Sequence, residues 1–289
     1  MTLSQSPYEG WVGTIATMHG KEAVIAATFR QALGVHLAQT RGLDTDAFGS
    51  FSGEIARIGS MMETAIGKAR LGMTKMSVPI GVASEGSYGR HPAIPIVPGG
   101  IELMVFVDAE RDIVIAEHLI DDTPVYDHAV LAPGDNLTPF LKRARFPEHA
   151  VIIRPHFAKQ GAERLIFKGV TSRDPLNRMI IASGDASEDG MALIQTDMRA
   201  QYNPTRMATI GRLAVKLSDR VARRCPSCGT PGFGVVDGVR QRHCIDCGEM
   251  STQVSHDALG CVKCSHRALS PRPGYTKFSD ARFCSNCNP

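Results

Sequence analysis

Residues 1–224 contain no cysteine at all, and the chain has no long apolar run. No stretch reaches the roughly 18 consecutive apolar residues that a membrane span needs, so a membrane protein built on helices is excluded. The opening "MTLSQSPYEGWVG" lacks the basic and apolar regions of a signal peptide, which predicts a cytoplasmic setting. Charge of one sign is scarce too: the net charge is +3 on 289 residues, too little to imply a nucleic-acid partner by itself. No low-complexity tract occurs, and nothing repeats internally outside the cysteines. What remains is 43% hydrophobic and 21% charged, the composition of a soluble globular chain able to bury a core.

All eight cysteines fall between Cys225 and Cys287, as four C-x-x-C pairs: Cys225/Cys228, Cys244/Cys247, Cys261/Cys264 and Cys284/Cys287. Each pair presents two thiolates from one tight turn, and two pairs complete a tetrahedral zinc site. Fifteen residues separate Cys228 from Cys244 and nineteen separate Cys264 from Cys284, so sequential pairing is favoured. Thirteen residues between Cys247 and Cys261 also allow a nested arrangement, with the middle pairs on one ion and the outer pairs on the other. In either case two Zn²⁺ with four thiolates each have no open position, so their role is structural. "GFGVVDGVRQRH" reads as strand, Asp-Gly turn, strand, the hairpin of a zinc ribbon. His243, His256 and His266 are surface residues in this reading.

Residues 225–289 carry seven Lys/Arg against five Asp/Glu. Eight thiolates around two Zn²⁺ add four net negative charges, which leaves the module at −2. That is a poor match for nucleic acid and a better one for a protein partner. The domain expectation is therefore an α/β domain over 1–224, ending in a linking helix, and a zinc module over 225–289.

Within 1–224, strands are expected at 11–17, 34–40, 78–84, 101–108, 112–120, 149–155, 164–170 and 191–197. Helices are expected at 20–33, 59–73, 137–146, 174–183 and 203–224. Asp174 should cap the fourth helix with Pro175 at its first position; Asn203 and Pro204 should do the same for the fifth. In the second helix Met62, Ala65, Ile66, Ala69 and Met73 make the buried stripe, with Glu63 and Lys68 flanking it on opposite sides. The fifth helix carries a basic stripe, Arg212, Lys216 and Arg220, more in keeping with a solvated face than with phosphate binding.

Four polar clusters fall where strands give way to helices. "ATMHGKE" puts Thr17, His19, Gly20 and Lys21 at a helix N-terminus, where amides and a lysine favour an anion. "METAIGKAR" holds Glu63 and Lys68. "GVASEGSYGRHP" ends a strand in Ser84-Glu85-Gly86, a turn with one carboxylate of the kind Mg²⁺ uses beside phosphates. "TDMRAQYNPTRM" brings Asp197, Arg199, Asn203 and Arg206 ahead of the basic helix. The loop "DTDAFGSFSGE" holds three further acids, Asp44, Asp46 and Glu54, which suit a lid or a solvated loop.

In this order the clusters resemble the inosine/xanthosine triphosphate pyrophosphatase superfamily, which includes the Maf proteins. Thr17-Met18-His19-Gly20-Lys21 stands where members have Thr/Ser-x-Asn-x-x-Lys. Glu63-Thr64-Ala65-Ile66-Gly67-Lys68-Ala69 stands for Glu-Asn-Ala-x-x-Lys-Ala, and "FKGVTSRDPLNRMIIA" for a late lysine, a threonine-arginine turn and a final helix. The chain departs from the pattern in three places: His19 replaces the asparagine, Lys21 comes one position early, and one acid remains in the turn.

The resemblance implies an ITPase-like mixed-sheet fold and a Mg²⁺-dependent nucleoside triphosphate pyrophosphatase acting on a purine nucleotide, including a deaminated one. Glu63 and Glu85 would hold Mg²⁺. Thr17, His19, Gly20, Lys21, Lys68, Lys168 and Arg206 would meet phosphate, and the protein would be a homodimer. Two alternatives accompany it: a nucleotide-binding sensor that has lost chemistry, and a scaffold whose zinc module binds protein or RNA. The whole chain, including "NPTRM" and "CPSCGTPGFG", also resembles a bacterial family known only as a domain of unknown function.

Overall fold

The computed structural model describes residues 6–43, 59–91, 93–94 and 96–289. Asp44, Asp46 and Glu54, the acids of the expected lid, lie outside the described residues. The chain divides into two compact units. One is Tyr8–Leu217; the other joins Met1–Pro7 to Ser218–Pro289 and holds every cysteine. Among the described residues no helix is long and apolar enough to cross a membrane.

The larger unit is mixed α/β with two sheets. The first runs in the order β2-β1-β3-β4-β5, from β1 (Val12–Ile15), β2 (His36–Gln39), β3 (Ile80–Arg90), β4 (Pro98–Asp108) and β5 (Ile113–Asp121). β1 is parallel to both of its neighbours, whereas β3, β4 and β5 form an antiparallel meander. The strands expected at 101–108 and 112–120 pair as the hairpin β4–β5. β3 and β4 are both longer than their apolar cores suggested and form a second hairpin. The second sheet is antiparallel, in the order β6-β9-β7-β8, from β6 (His128–Leu131), β7 (Val151–Pro155), β8 (Phe167–Val170) and β9 (Ala192–Thr196). β6 is too short and too half-exposed to announce itself in the sequence.

Helices cover both faces of the first sheet. α1 (Glu22–Leu33) buries Ile25, Phe29 and Leu33, four residues apart, and stops at Gly34, whose positive φ lets its amide reach the Arg30 carbonyl. Phe29 stacks on Phe106 of β4 with ring centroids 5.9 Å apart. Strand side chains alternate, so Val105 and Val107 face the other way and pack with Ala65, Ala69 and Met73 of α2 (Met61–Met76). The buried face of α2 is turned from the expected one: Met62 is exposed, and Thr64 and Lys68 are buried beside Ala65, Ala69, Gly72 and Met73. A lysine can occupy that face because its ammonium meets a buried acid there.

α3 (Thr138–Arg143) and α4 (Leu176–Asp185) pack on the second sheet around Phe140, Leu141, Ile153, Ile180 and Ile194. Asp174 does not cap α4, which starts at Leu176 with Pro175 in the cap position and no side-chain cap bond. Asn203 does cap α5 (Pro204–Ala222): its Oδ1 accepts from the Arg206 amide at 3.0 Å. Ile210, Leu213, Ala214, Leu217 and Val221 are fully buried at helical spacing. The basic stripe of α5 is engaged within the chain. Lys216 pairs with Glu117 at 2.9 Å, Arg212 donates to Thr209, and Arg220 to the Gly232 carbonyl.

In the cysteine-bearing unit, β10 (Gly234–Val239), β12 (His256–Gly260) and β13 (Arg267–Pro271) form one antiparallel sheet. β11 (His243–Cys244) pairs in parallel with β14 (Phe278–Ser279). The hairpin expected from "GFGVVDGVRQRH" does not form. Asp237 and Gly238 sit inside β10, opposite Ala258 and Asp257, because β12 takes the place of the local partner strand.

Candidate functional site

β1 leads through α1 to β2 on one side, and β2 leads through α2 back across to β3 on the other. Adjacent strands whose connections diverge leave a crevice at their carboxyl ends, where ligands bind in open α/β sheets. Here that crevice lies between β1 and β3. The β1–β3 ladder ends where the Ala16 amide donates to the Val82 carbonyl at 2.9 Å. β3 continues, and its next inward carbonyl, Ser84, accepts from the Lys21 ammonium at 3.3 Å, with Ser84 Oγ at 3.0 Å. Two of the sequence clusters thus meet, because a strand that outlasts its neighbour exposes backbone acceptors.

Lys68 and Arg206 join them. Lys68 Nζ lies 2.5 Å from Glu85 Oε1 with both side chains nearly inaccessible. Arg206 Nε lies 2.6 Å from Glu102 Oε1, both wholly buried, and Arg206 also donates through Nη1 to the Met198 carbonyl. The Tyr88 hydroxyl donates to the same Glu102 oxygen at 2.9 Å, and the Arg206 guanidinium lies 5.5 Å from the Tyr88 ring. Gly86 makes room for this pair. A Cβ there would stand 2.4 Å from Glu102 Oε1 and 2.7 Å from Arg206 Nη2.

Burial pushes the Lys21 ammonium down to about 8, and Arg206 adds to the shift; Glu102 and Glu85 oppose it, while Lys68 reinforces it. Among the described residues these five groups form one electrostatic unit, three cations with two carboxylates. Burial opposes the charge on Arg206, but Glu102 beside it more than offsets this and holds the guanidinium above its ordinary value. Burial, followed by the Glu102 charge, drives the Tyr88 phenol upward, so it remains a neutral donor.

Of the residues read from the sequence, Lys21, Lys68, Glu85 and Arg206 are brought together. Thr17 and His19 are buried in the turn that carries Lys21: the Thr17 hydroxyl accepts from the His19 amide at 3.3 Å, and Gly20 takes the positive φ that the turn needs. Glu63 is placed elsewhere. It is exposed at the start of α2, where its carboxylate accepts from the Ser60 amide and hydroxyl, each at 2.8 Å, while Ser60 Oγ caps the Glu63 amide. Lys168 is exposed on β8 of the second sheet. Asp197 is buried and paired with Arg199 at 2.6 Å, ordering its own loop.

Glu102 and Tyr88 were missed. The sequence signal for Glu102 was there, a lone acid inside the apolar run "IELMVFVD".

The cysteines form two clusters among the described residues: Cys225, Cys228, Cys261 and Cys264 in one, and Cys244, Cys247, Cys284 and Cys287 in the other. The first pair thus joins the third and the second joins the fourth, which overturns both the sequential and the nested pairing. Strand pairing is the cause. Gly234 lies opposite Gly260 and draws the first knuckle to the third, while the β11–β14 ladder sets the second beside the fourth.

Thiol sulfurs lie 3.7 Å (Cys225–Cys264), 3.6 Å (Cys228–Cys261), 3.8 Å (Cys244–Cys287) and 3.6 Å (Cys247–Cys284) apart. A zinc tetrahedron with bonds of about 2.3 Å has edges of about 3.8 Å, so each cluster fits one ion. Hydrogen bonding with Thr230 lowers the Cys228 thiol to about 6, and the Glu249 backbone is the main cause that lowers Cys247 to about 7, whereas Cys264 and Cys287 in the same clusters are pushed up to about 11 and about 12. His243, His256 and His266 stand outside both clusters, their rings engaged by the Gly248 carbonyl, Tyr275 and Phe233.

No curated protein and no solved structure matches the chain. The profile of a family described as a domain of unknown function, DUF6671, matches residues 68–289, which takes in Lys68, Glu85, Glu102, Arg206 and all eight cysteines, and the chain belongs to that family.

Proposed function

We propose that the larger unit binds the phosphates of a purine nucleoside triphosphate at Lys21, Lys68 and Arg206 and, with Mg²⁺, hydrolyses it to release pyrophosphate. The observation that supports this is the cluster itself. Three cations are held out of water at the topological switch of the sheet, with two carboxylates, Glu85 and Glu102, among them in the described residues. Buried cations brought together in this way call for an anion, and strongly perturbed groups gather at functional sites. The reaction class rests on the motif resemblance, the binding chemistry on the geometry.

In this reading Lys21 and Lys68 neutralise phosphate oxygens. Arg206, tied by Glu102 and the Met198 carbonyl, holds the second sheet's loop over the first. Glu85 is the carboxylate placed to take Mg²⁺, a hard ion that accepts one or two carboxylates beside phosphate oxygens. When bound, the ion withdraws charge from the phosphates and acidifies a bound water. Glu63 is left out, its carboxylate being used in the cap of α2.

A sensor that binds nucleotide without turnover is the second reading, favoured by one observation: Glu85 and Glu102 each already hold a cation. In both readings the four-cysteine clusters hold structural Zn²⁺.

Pyrophosphate release from a panel of normal and deaminated nucleoside triphosphates, with Mg²⁺ and zinc-loaded protein, separates the readings. Turnover that disappears in Glu85→Gln supports the hydrolase. Tight nucleotide binding without release supports the sensor, and no binding rejects both.

A further inference from the structure

The Lys68–Glu85 contact bears on how ligands enter, given the phosphate-binding reading. The pair is 2.5 Å apart and nearly inaccessible, so the Lys68 ammonium already occupies Oε1 of the Glu85 carboxylate. A divalent cation approaching Glu85 alone would meet an ammonium in the place it needs. A polyphosphate approaching alone meets the opposite difficulty. The three cations of the cluster already face Glu85 and Glu102, whereas a nucleoside triphosphate brings about four negative charges. Uncompensated charge in a buried site is costly in either direction.

One exchange removes both obstacles. If Lys68 moves from Glu85 to a phosphate oxygen, the anion gains a cation, and the released carboxylate becomes a hard oxygen donor for the metal. Each half of the exchange is unfavourable by itself. Together they replace one ion pair by two.

We propose that Lys68 and Glu85 form an exchange pair that admits a divalent cation and a polyphosphate only together, Lys68 turning to the phosphate as Glu85 turns to the metal. The ligand class is thus a metal–polyphosphate complex, and metal and anion each strengthen the other's binding by the same factor.

Mn²⁺ uptake, read by electron paramagnetic resonance on the full-length zinc-loaded protein, tests this with an α,β-methylene nucleoside triphosphate as the probe. The wild type should bind Mn²⁺ at least about tenfold more tightly with the analogue than without it, and the analogue should gain by the same factor from Mn²⁺. Lys68→Met should bind Mn²⁺ alone, with the coupling shrunk towards one. Glu85→Gln should lose Mn²⁺ and gain metal-free analogue binding, because Lys68 no longer faces a carboxylate there.

Analogue binding that is indifferent to Mn²⁺ in the wild type would overturn the exchange and leave the phosphate site standing. Undiminished coupling in folded Lys68→Met would do the same. Failure of the analogue to bind under any condition would remove the phosphate site and the exchange with it. The reciprocal wild-type measurement needs no variant, so the test survives a Lys68→Met protein that does not fold.

Discussion

The two units bury charge by different means. In Tyr8–Leu217, carboxylates hold cations: Glu85 against Lys68 and Glu102 against Arg206, with Lys21 left to backbone and hydroxyl acceptors. In the cysteine-bearing unit, eight thiols are arranged so that metal ions can hold them. The first device is soft. Ion pairs can exchange partners, and a buried pair contributes little net stability unless one member is removed. The second would be rigid with zinc bound, because four thiolates saturate the ion and ligation energy becomes folding energy. Adaptable charge suits a site that must accept and release a ligand; saturated charge suits a scaffold.

The contrast breaks most visibly if a cysteine is removed. Cys261→Ser should lower zinc content from two ions to one by metal analysis and unfold the β10-β12-β13 sheet. The loss is on the order of 10 kcal/mol of ligation. Retention of two ions would show that the clusters are not four-cysteine sites. Next comes the ion pair. Arg206→Met leaves Glu102 buried without its cation, with the Tyr88 hydroxyl still donating to it, and should cost about 3–5 kcal/mol in urea unfolding. The double variant Glu102→Leu/Arg206→Met should recover part of that. Equal losses in the single and double variants would mean that the pair acts through packing rather than charge.

The pH dependence of the cluster is a sharper instrument. Lys21 is held near 8, below its ordinary 10.5. Affinity for a phosphate analogue should therefore fall as pH rises through about 8, by up to about tenfold per unit. The folded protein gives up this proton before the unfolded chain does, so the burial penalty is relieved and stability should rise with pH between about 8 and 10.5. Titration calorimetry from pH 6.5 to 9.5 checks the first part, with Lys21→Met as the pH-insensitive control. The smallest effect belongs to the cap. Ser60→Ala should cost about 1 kcal/mol and leave phosphate affinity unchanged, since Glu63 serves the helix end. Weakened phosphate binding would return Glu63 to the site.

Much of the local structure was legible. Periodicity located α1 to α5, because a buried stripe repeats with the turn of the helix that bears it, while the short 3-10 turn at Ala200–Tyr202 gave no such signal. The details that slipped share a cause. Lys68 turned inward on α2 because an acid from another strand was waiting, and Asp174 lost its capping role because α4 begins later. β3 ran on to Arg90 because β4 was long enough to pair with it. Each is a local preference overridden by a contact distant in sequence.

By itself the sequence determined the chemistry available: four C-x-x-C knuckles with the spacing of zinc ligands, and Lys21, Lys68, Glu85 and Arg206 as candidate charged groups. It also determined where the helices run, since a hydrophobic pattern repeats with the helical turn. Only the tertiary structure decided partners. It joined the first knuckle to the third and the second to the fourth, placed Glu102 and Tyr88 against Arg206, and withdrew Glu63 into a helix cap. The physical reason is the same in each case. Periodicity says which way a side chain points, but what it meets depends on strand register and crossover, and those are chosen by the fold as a whole.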